Sequence, residues 1–204
     1  PALLLRLYMR ARKNRNYFHR WPERLGIYHG DVPAGRSIWI HAVSVGESMA
    51  AVPLIQALSE TFDGIGILVT TTTPTGAETI ERTLGTAVSH VYFPYDLPFA
   101  LQRFFDRFKP LLLVILETEL WPNTIAFCTT RAIPIVLANA RLSDRSLKSY
   151  LRIHSLSRQI VRSIDFIAAQ TKQDQERFIS LGAEPTGVAV VGSLKFDLDL
   201  PASL

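Results

Sequence analysis

A carboxylate lies at a corner between an apolar segment and a helical pattern. Residues 37–40 have the character of a short buried strand, residues 49–58 that of a helix, and Glu47 lies between them after Ser44 and Gly46. A helix start presents free backbone N–H groups and the positive end of the helix dipole, which favour an ionised carboxylate. Glu47 is therefore a candidate general base for a bound hydroxyl. A structural role stays open, because an acidic residue in a first helical turn is often only a favourable end charge.

A second pair of carboxylates follows an apolar segment farther along the chain. Residues 111–116 are entirely apolar, as in a strand buried on both faces, and Glu117 and Glu119 come directly after them. The carboxyl ends of parallel strands meet at one edge of a sheet, so Glu47 and Glu117 should face the same crevice. We expect Glu117 to point into that crevice and Glu119 to cap the helix that starts near Pro122. Either acid can instead serve only as that cap.

Strand-like and helical patterns alternate along the chain. Strands are predicted at residues 37–42, 65–70, 90–93, 111–116, 133–138, 165–169 and 188–191, and helices at 48–60, 76–84, 98–108, 122–131, 146–163 and 172–181. This alternation is typical of an α/β fold with a doubly wound parallel sheet. The 204 residues, 48% of them hydrophobic, are enough for one such domain.

Two further groups are expected at the same edge of the sheet. The threonine-rich loop at residues 70–76, which includes Thr72, can hold a phosphate or a sugar, or can simply cap the next helix. Arg141 follows the strand at 133–138, where it can bind a phosphate or carboxylate or pair with Glu117 or Glu119. The chain has no G-x-G-x-x-G motif, which argues against a dinucleotide dehydrogenase.

Positive charge is concentrated at the start of the chain. Residues 1–24 hold seven basic residues and one acidic residue, a net charge of +6, whereas the whole chain carries +4. With the apolar residues around them, five cations are predicted to contact an anionic membrane surface: Arg6, Arg10, Arg12, Lys13 and Arg15. A solvated helix packed on its own domain is an alternative, and no nucleic-acid partner is expected because the body of the chain is slightly acidic.

The sequence predicts neither a metal site nor a cofactor. Cys128 is the only cysteine, so an intrachain disulfide is impossible and a reducing cytoplasm fits. The five histidines are scattered, without a pair at metal-binding spacing. No apolar run approaches the roughly 18 residues that span a bilayer.

Six segments combine these features in a recognisable order. They are IHAVSVGE (40–47), VTTTTPTG (69–76), VYFPYDLP (91–98), ETELWPN (117–123), ANARLS (138–143) and GSLKFD (192–197). Together they resemble the N-terminal half of the 3-deoxy-D-manno-octulosonic acid (Kdo) transferases, bacterial enzymes that glycosylate the lipid A precursor. The resemblance implies an inverting glycosyltransferase of the two-domain GT-B type, with the Rossmann-like acceptor-binding domain at residues 31–204 and a basic membrane-proximal segment at 1–30. The donor domain is expected to lie outside this chain.

The resemblance also implies substrates, location and residue roles. The donor would be CMP-Kdo and the acceptor a lipid A precursor such as lipid IVA, at the cytoplasmic face of the bacterial inner membrane. Glu47 matches the general base of the family, and Lys195 matches a cation that faces the cleft near the hinge. The residues predicted to bind or support the acceptor are Ser44, Gly46, Thr72, Glu117, Glu119, Arg141 and Lys195.

Two other functions remain open at this level. Residues 42–46 approximate the nucleophile elbow of an α/β-hydrolase, with Ser44 as the nucleophile and alanine in the first glycine position. Against it, this strand is the first in the chain, whereas the hydrolase elbow follows several strands. The chain can also be a non-catalytic module that binds anionic lipid through its basic segment. The oligomeric state and the number of Kdo units transferred are left open.

Overall fold

A computed structural model describes residues 20–29 and 36–194 of the chain. Seven parallel strands form one sheet in the order β3-β2-β1-β4-β5-β6-β7. They are β1 (Ser37–His41), β2 (Gly66–Thr71), β3 (Ser89–Tyr92), β4 (Pro110–Leu116), β5 (Ile135–Ala140), β6 (Phe166–Ala169) and β7 (Val188–Val190). The predicted α/β fold with a Rossmann-like, doubly wound parallel sheet is confirmed.

Seven helices connect the strands. They are α1 (Val45–Thr61), α2 (Pro74–Leu84), α3 (Pro98–Phe108), α4 (Pro122–Thr130), α5 (Asp144–Arg152), α6 (His154–Arg162) and α7 (Lys172–Leu181), with short 3₁₀ turns at Trp21–Leu25, Gly85–Ala87 and Pro185–Gly187. The prediction of one helix at 146–163 is wrong, because the helix is interrupted at Ile153 and two shorter helices form. There the Tyr150 carbonyl accepts hydrogen bonds from the Ile153 N–H at 3.1 Å and the Ser157 hydroxyl at 2.9 Å, which turn the chain out of the first helix.

Alternate residues of the strands face two separate layers of the core. Ile38 and Ile40 of β1 pack with side chains of α1 and α2 on one face of the sheet. Trp39 points to the opposite face, where α3, α4, α6 and α7 pack. Its ring centroid lies 4.4 Å from that of Phe104, and its indole N–H donates to Thr70 Oγ1 at 2.8 Å. The period of two along each strand therefore produces the doubly wound arrangement.

The short segment at residues 20–29 covers the edge strand β3. Arg20 donates through Nη2 to the His90 carbonyl at 2.7 Å, and the Tyr92 N–H donates to Glu23 Oε2 at 2.8 Å. Tyr28 packs edge-on against Phe108, with ring centroids 4.9 Å apart. Part of the basic N-terminal segment thus packs on the domain, where it satisfies polar groups that an edge strand would otherwise expose. Residues 1–19 lie outside the described structure.

The order of the strands reverses between β1 and β4. From β1 the chain proceeds outward to β2 and β3, and from β4 it proceeds outward in the other direction. The loops that follow β1 and β4 therefore diverge from neighbouring strands at the carboxyl edge of the sheet. Such a switch point leaves a crevice, which is where open α/β sheets bind their ligands.

Candidate active site

Glu47 is held in place at the β1–α1 corner by a reciprocal pair of hydrogen bonds with Ser44. The Ser44 hydroxyl donates to Glu47 Oε1 at 2.8 Å, and Ser44 Oγ accepts the Glu47 N–H at 3.4 Å as the N-cap of α1. The Val43 N–H donates to the other oxygen, Oε2, at 2.8 Å. This capping box fixes the carboxylate of Glu47, a residue that is 7% exposed, at the switch point.

Glu117 follows β4 with an unusual backbone conformation. Its N–H continues the sheet by donating to the Ala138 carbonyl at 2.9 Å, while its φ of 58° lies in the left-handed region. That region is costly for a residue other than glycine, and such strain concentrates at functional sites. The next residue, Thr118, donates its hydroxyl to the Arg141 carbonyl, which ties the loop after β4 to the end of β5.

The structure brings Glu47, Glu117 and Glu119 together at this edge. Burial is the main cause that raises the pKa of Glu47, and the charge of Glu117 raises it further, against the opposing effect of the Val43 and Ser44 hydrogen bonds. Burial, followed by the charges of Glu47 and Glu117, raises the pKa of Glu119 to about 7. Carboxylates that share a partly desolvated site resist simultaneous ionisation, so a proton is available there near neutral pH.

The expectation that Glu119 caps helix α4 is wrong, because Asp96 occupies that role. Its Oδ1 accepts the Thr124 N–H at 2.7 Å and the Thr124 hydroxyl at 2.8 Å, and its Oδ2 accepts the Asn123 N–H at 3.0 Å. The N-cap position itself, Trp121, makes no side-chain capping bond. Sequence reasoning missed Asp96, since it lies 26 residues before the start of the helix that it caps and nothing local signals the contact.

The hydroxyls of Thr72 and Thr73 in the threonine-rich loop are engaged by neighbouring backbone groups. The hydroxyls of Thr72 and Thr73 donate to the Val43 carbonyl at 3.2 and 3.3 Å, so they brace the β1–α1 corner. Thr73 Oγ1 also accepts the Gly76 N–H at 3.1 Å and caps α2. These bonds correspond to the capping alternative for this loop, and they place Thr72 in support of the corner that carries Glu47.

Arg141 lies at the carboxyl edge with its side chain exposed. Within residues 20–29 and 36–194, its guanidinium forms no ion pair. The alternative in which Arg141 pairs with Glu117 or Glu119 is therefore wrong. Its backbone carbonyl is the acceptor for Thr118. Six predicted site residues lie outside the described part of the chain: Lys195, Arg6, Arg10, Arg12, Lys13 and Arg15.

An aromatic layer underlies this edge of the sheet. His41 is 1% exposed, its ring centroid lies 4.1 Å from that of Phe93, and Phe93 in turn lies 5.4 Å from Trp121. Burial lowers the pKa of His41 to about 3, so the imidazole stays neutral, with Nδ1 2.9 Å from Thr70 Oγ1. His41 is therefore part of the packing beneath the crevice and is not a proton carrier at neutral pH.

The geometry does not support a hydrolase. Ser44 has an extended backbone, with φ −120° and ψ 170°, rather than the strained turn of a nucleophile elbow. Its hydroxyl is bonded to Glu47, and in the described residues no histidine hydrogen-bonds to it. A serine nucleophile would need such a base.

Residues 20–29 and 36–194 contain neither a cluster of metal ligands nor a membrane-spanning helix. No group of three or more histidine, cysteine, aspartate or glutamate side chains there is arranged to hold a metal ion. Of the helices between residues 20 and 29 and between 36 and 194, none combines the length and apolar character needed to cross a membrane.

The family model and the curated relatives that match this chain name the same family. Residues 19–198 match the family described as 3-deoxy-D-manno-octulosonic-acid transferase (kdotransferase). The 3-deoxy-D-manno-octulosonic acid transferase of Haemophilus influenzae is 40% identical over 98% of this chain and 47% of that protein. The transferase of Bordetella pertussis is 36% identical over 98% of this chain and 48% of its own length. A probable mitochondrial transferase of Arabidopsis thaliana is 38% identical over 96% and 44%. The chain therefore spans about half the length of these relatives.

Solved structures share the fold at much lower identity. A UDP-GlcNAc 2-epimerase from Neisseria meningitidis bound to UDP-GlcNAc superposes with a TM-score of 0.58 at 16% identity, over 80% of this chain and 48% of that one. A putative UDP-N-acetylglucosamine 2-epimerase from Listeria monocytogenes gives 0.56 at 14% identity, over 77% and 45%. At these identities the likeness concerns the fold alone, and it agrees with a Rossmann-like domain of GT-B character.

Proposed function

Because the chain belongs to the 3-deoxy-D-manno-octulosonic-acid transferase family, we propose that it forms the acceptor-binding half of a Kdo glycosyltransferase. The whole enzyme would move Kdo from CMP-Kdo to a lipid A precursor such as lipid IVA in lipopolysaccharide biosynthesis. The observation that carries this proposal is the buried Glu47 carboxylate, fixed by Ser44 and Val43 at the switch point of the sheet. The donor domain would belong to the remainder of the protein.

Glu47 acts in this proposal as the general base. An acceptor hydroxyl transfers its proton to Glu47 while its oxygen forms a bond to the anomeric carbon of Kdo. The bond between that carbon and the phosphate oxygen breaks, CMP leaves with the electron pair, and the anomeric configuration inverts. Burial raises the pKa of Glu47 towards the working range, which makes the ionised carboxylate a stronger base. The Ser44 and Val43 hydrogen bonds hold its two oxygens in place.

In this proposal the neighbouring acids position the acceptor and limit the negative charge beside Glu47. Glu117, whose φ of 58° lies in the left-handed region directly after β4, is proposed to hold an acceptor hydroxyl. Glu119, whose pKa is raised to about 7, is largely protonated below that pH and then adds no negative charge beside Glu47. This matters because the donor is itself an acid sugar with a phosphate leaving group. Cations are needed around that donor, and Arg141 and Lys195 are our candidates from this half.

We also propose a location at the cytoplasmic face of the bacterial inner membrane. The support is the basic segment that includes Arg6, Arg10, Arg12, Lys13 and Arg15, together with a membrane-bound acceptor. No metal, cofactor or nucleic acid takes part in the proposed reaction.

The test is turnover of the two-domain protein with CMP-Kdo and lipid IVA. Glu47→Gln preserves size and can still bond to Ser44 and Val43, but it cannot accept the proton. We expect it to lose about 10² to 10⁴ in turnover with acceptor binding nearly intact. Glu60→Gln is the matched control, because Glu60 lies exposed near the end of the same helix. Near-normal turnover of Glu47→Gln, combined with a lowered melting temperature, would assign Glu47 to helix capping alone.

A further inference from the structure

Asn139 combines a left-handed backbone with a buried side-chain amide at the carboxyl end of β5. The residue is 1% exposed, and its φ is 53°. The pairing of β5 with β6 shifts register between Leu137 and Ala140, which is where Asn139 lies. Asparagine tolerates the left-handed region better than most residues do, but a buried amide also needs hydrogen-bond partners. The partners of Asn139 therefore indicate what this residue does.

The amide oxygen of Asn139 holds a segment that is distant in sequence. Asn139 Oδ1 accepts the Leu194 N–H at 3.2 Å, and the Asn139 backbone carbonyl accepts a hydrogen bond from Gln170 Nε2 at 2.9 Å. The contact with Leu194 fixes the orientation of the amide, because a backbone N–H needs the oxygen opposite it and not the NH₂ group. Within residues 20–29 and 36–194 the NH₂ group has no partner. In the described structure the Asn139 side chain is therefore bonded to Leu194 alone.

Residues 191–194, here called the crossing segment, pass back over the carboxyl ends of the strands. The Val191 N–H donates to the Ala169 carbonyl at the end of β6 at 3.0 Å, and three residues later Leu194 is bonded to Asn139 of β5. The side chain of Leu194 packs against the core layer that β1, β4 and α1 share. Because the sheet order is β4-β5-β6-β7, the chain here moves inward, towards the switch point.

Gly192 allows this change of direction. Its φ of 86° lies in the left-handed region. An added Cβ would meet no atom within 4 Å, so glycine is required at this position by conformation and not by lack of space. Alanine at position 192 would therefore act on the crossing segment through its backbone.

The contact between Asn139 and Leu194 lies next to the backbone bond that holds Glu117. The Glu117 N–H donates to the Ala138 carbonyl at 2.9 Å, and Asn139 is the next residue along β5. Glu117 and Asn139 both have left-handed backbones at the carboxyl ends of the paired strands β4 and β5. The crossing segment is thus tied to the edge that carries the acids. In the sequence it leads to Lys195, which lies outside the described residues.

We propose that Asn139 is a positioning residue of the transferase, which holds the crossing segment at the switch point through the Leu194 N–H and so sets the placement of the donor relative to the acids after β1 and β4. This proposal rests on the proposed function, in which Lys195 is a candidate cation for the donor. A purely structural role would use the same hydrogen bond, but its loss would not discriminate between donor and acceptor. One such bond contributes modestly to stability, whereas a displacement of about 1 Å at a reacting group can cost about 10² in rate.

Amide hydrogen exchange of Leu194 in the 204-residue chain tests the contact itself. In Asn139→Gly the left-handed backbone suits glycine and the carbonyl that Gln170 uses remains, but the acceptor for the Leu194 N–H is lost. We expect exchange at Leu194 to become about fivefold faster or more, with little change in melting temperature. Gln175→Ala is the matched control, because it removes another side-chain amide bond, from Gln175 Nε2 to the Val188 carbonyl at the start of β7. It should leave exchange at Leu194 unchanged.

Steady-state kinetics of the two-domain protein with CMP-Kdo and lipid IVA test the consequence for the reaction. We expect Asn139→Gly to raise the KM for CMP-Kdo about tenfold and to leave the KM for lipid IVA within about twofold. Gly192→Ala should give the same pattern, because it strains the turn of the crossing segment and leaves the Asn139 side chain in place. The two changes together should cost less free energy than the sum of their separate effects, since each releases the same segment. Gln175→Ala should keep both KM values of the wild type.

Four results would overturn the proposal. Unchanged exchange at Leu194 in a folded Asn139→Gly variant would show that Asn139 does not hold the crossing segment, and faster exchange with unchanged KM values would leave the bond a structural role only. An equal rise of both KM values, or the same changes in Gln175→Ala, would indicate general loosening of the domain. If Asn139→Gly does not fold, Gly192→Ala carries both measurements. A wild-type protein without turnover would instead refute the proposed function, and the exchange experiment would still test the contact.

Discussion

Ser44 and Glu47 each satisfy the other's hydrogen-bonding groups: the Ser44 hydroxyl donates to Glu47 Oε1 at 2.8 Å, and Ser44 Oγ accepts the Glu47 N–H at 3.4 Å. The same contact thus caps a helix and orients the proposed base. The capping and catalytic alternatives for Glu47 are compatible in this geometry. What separates them is proton transfer, which only a functional measurement can detect.

Ser44→Ala should therefore affect both stability and the pH dependence of turnover. Loss of the cap should cost about 1 kcal/mol of unfolding free energy. Loss of a hydrogen bond to the carboxylate should raise the pKa of Glu47 further, so the acidic limb of the pH–turnover profile of the two-domain protein should move to higher pH. The measurements are urea unfolding and turnover across pH.

Thr171→Ala is the control for that prediction. Thr171 and Asp174 form the same reciprocal contact at the start of α7. The Thr171 hydroxyl donates to Asp174 Oδ2 at 2.6 Å, and the Asp174 N–H donates to Thr171 Oγ1 at 3.1 Å. This variant should lose similar stability and leave the profile in place. A shift of equal size in both variants would mean that the profile reports on folding rather than on Glu47.

Glu119 should make the chain less stable as the pH rises. Its pKa is about 7 in the folded chain, against a usual 4.5. Between those values the folded chain keeps a proton that the unfolded chain has released, so the contribution of this group to stability falls across that window and is constant above it. Glu119→Gln removes the titration and should be more stable than wild type at about pH 8 by roughly 1 kcal/mol or more. Chemical unfolding at several pH values measures this, and destabilisation by the same amount at every pH would contradict it.

Asp96→Ala should destabilise the domain through helix α4. Asp96 accepts two backbone N–H groups and one hydroxyl from Asn123 and Thr124, and its removal leaves these donors without their acceptor. We expect a loss of about 1 to 3 kcal/mol in unfolding free energy. Asp106→Ala is the control, because Asp106 is exposed and its carboxylate accepts a hydrogen bond from the Gln102 side chain at 2.7 Å on the helix surface, and it should change stability by about 0.5 kcal/mol or less. Equal effects would show that the cap is dispensable.

Gly46 should be replaceable for folding but not for function. It is exposed in the first turn of α1, and an added Cβ would meet only Ser44 Oγ, at 4.0 Å. Glycine costs a helix up to about 1 kcal/mol relative to alanine, so Gly46→Ala should stabilise the chain slightly. In the proposed reaction the acceptor hydroxyl reaches Glu47 beside Gly46, so an added methyl group should lower the turnover of the two-domain protein.

Gly76→Ala gives the opposite pattern and serves as the comparison for Gly46. A Cβ at Gly76 would lie 2.9 Å from Thr73 Oγ1 and 3.4 Å from Ser48 Oγ, so this substitution should destabilise the fold. Thermal unfolding of both variants checks the contrast. Unchanged turnover of Gly46→Ala would show that the acceptor does not approach that helix end.

Local periodicity was enough to predict the architecture and the general place of the site. Buried strands alternate with amphipathic helices, a pattern that depends on local periodicity, and parallel strands must present their carboxyl ends at one edge. The approach of Glu47 and Glu117 follows from those two facts without knowledge of any contact. The capping box at Ser44 and Glu47 is likewise a relation over three residues, within reach of local reasoning.

Which polar groups interact across the chain depends on tertiary contacts. Asp96 caps a helix that starts 26 residues later, Arg20 reaches the His90 carbonyl, and Glu119 is left to interact with Glu47. The end of α5 at Ile153 also depends on contacts that local periodicity does not reveal. Hydrogen bonds and charges act over a few ångströms of space whatever the separation along the chain, so local patterns cannot rank the possible partners. Only the folded arrangement brings one donor to one acceptor.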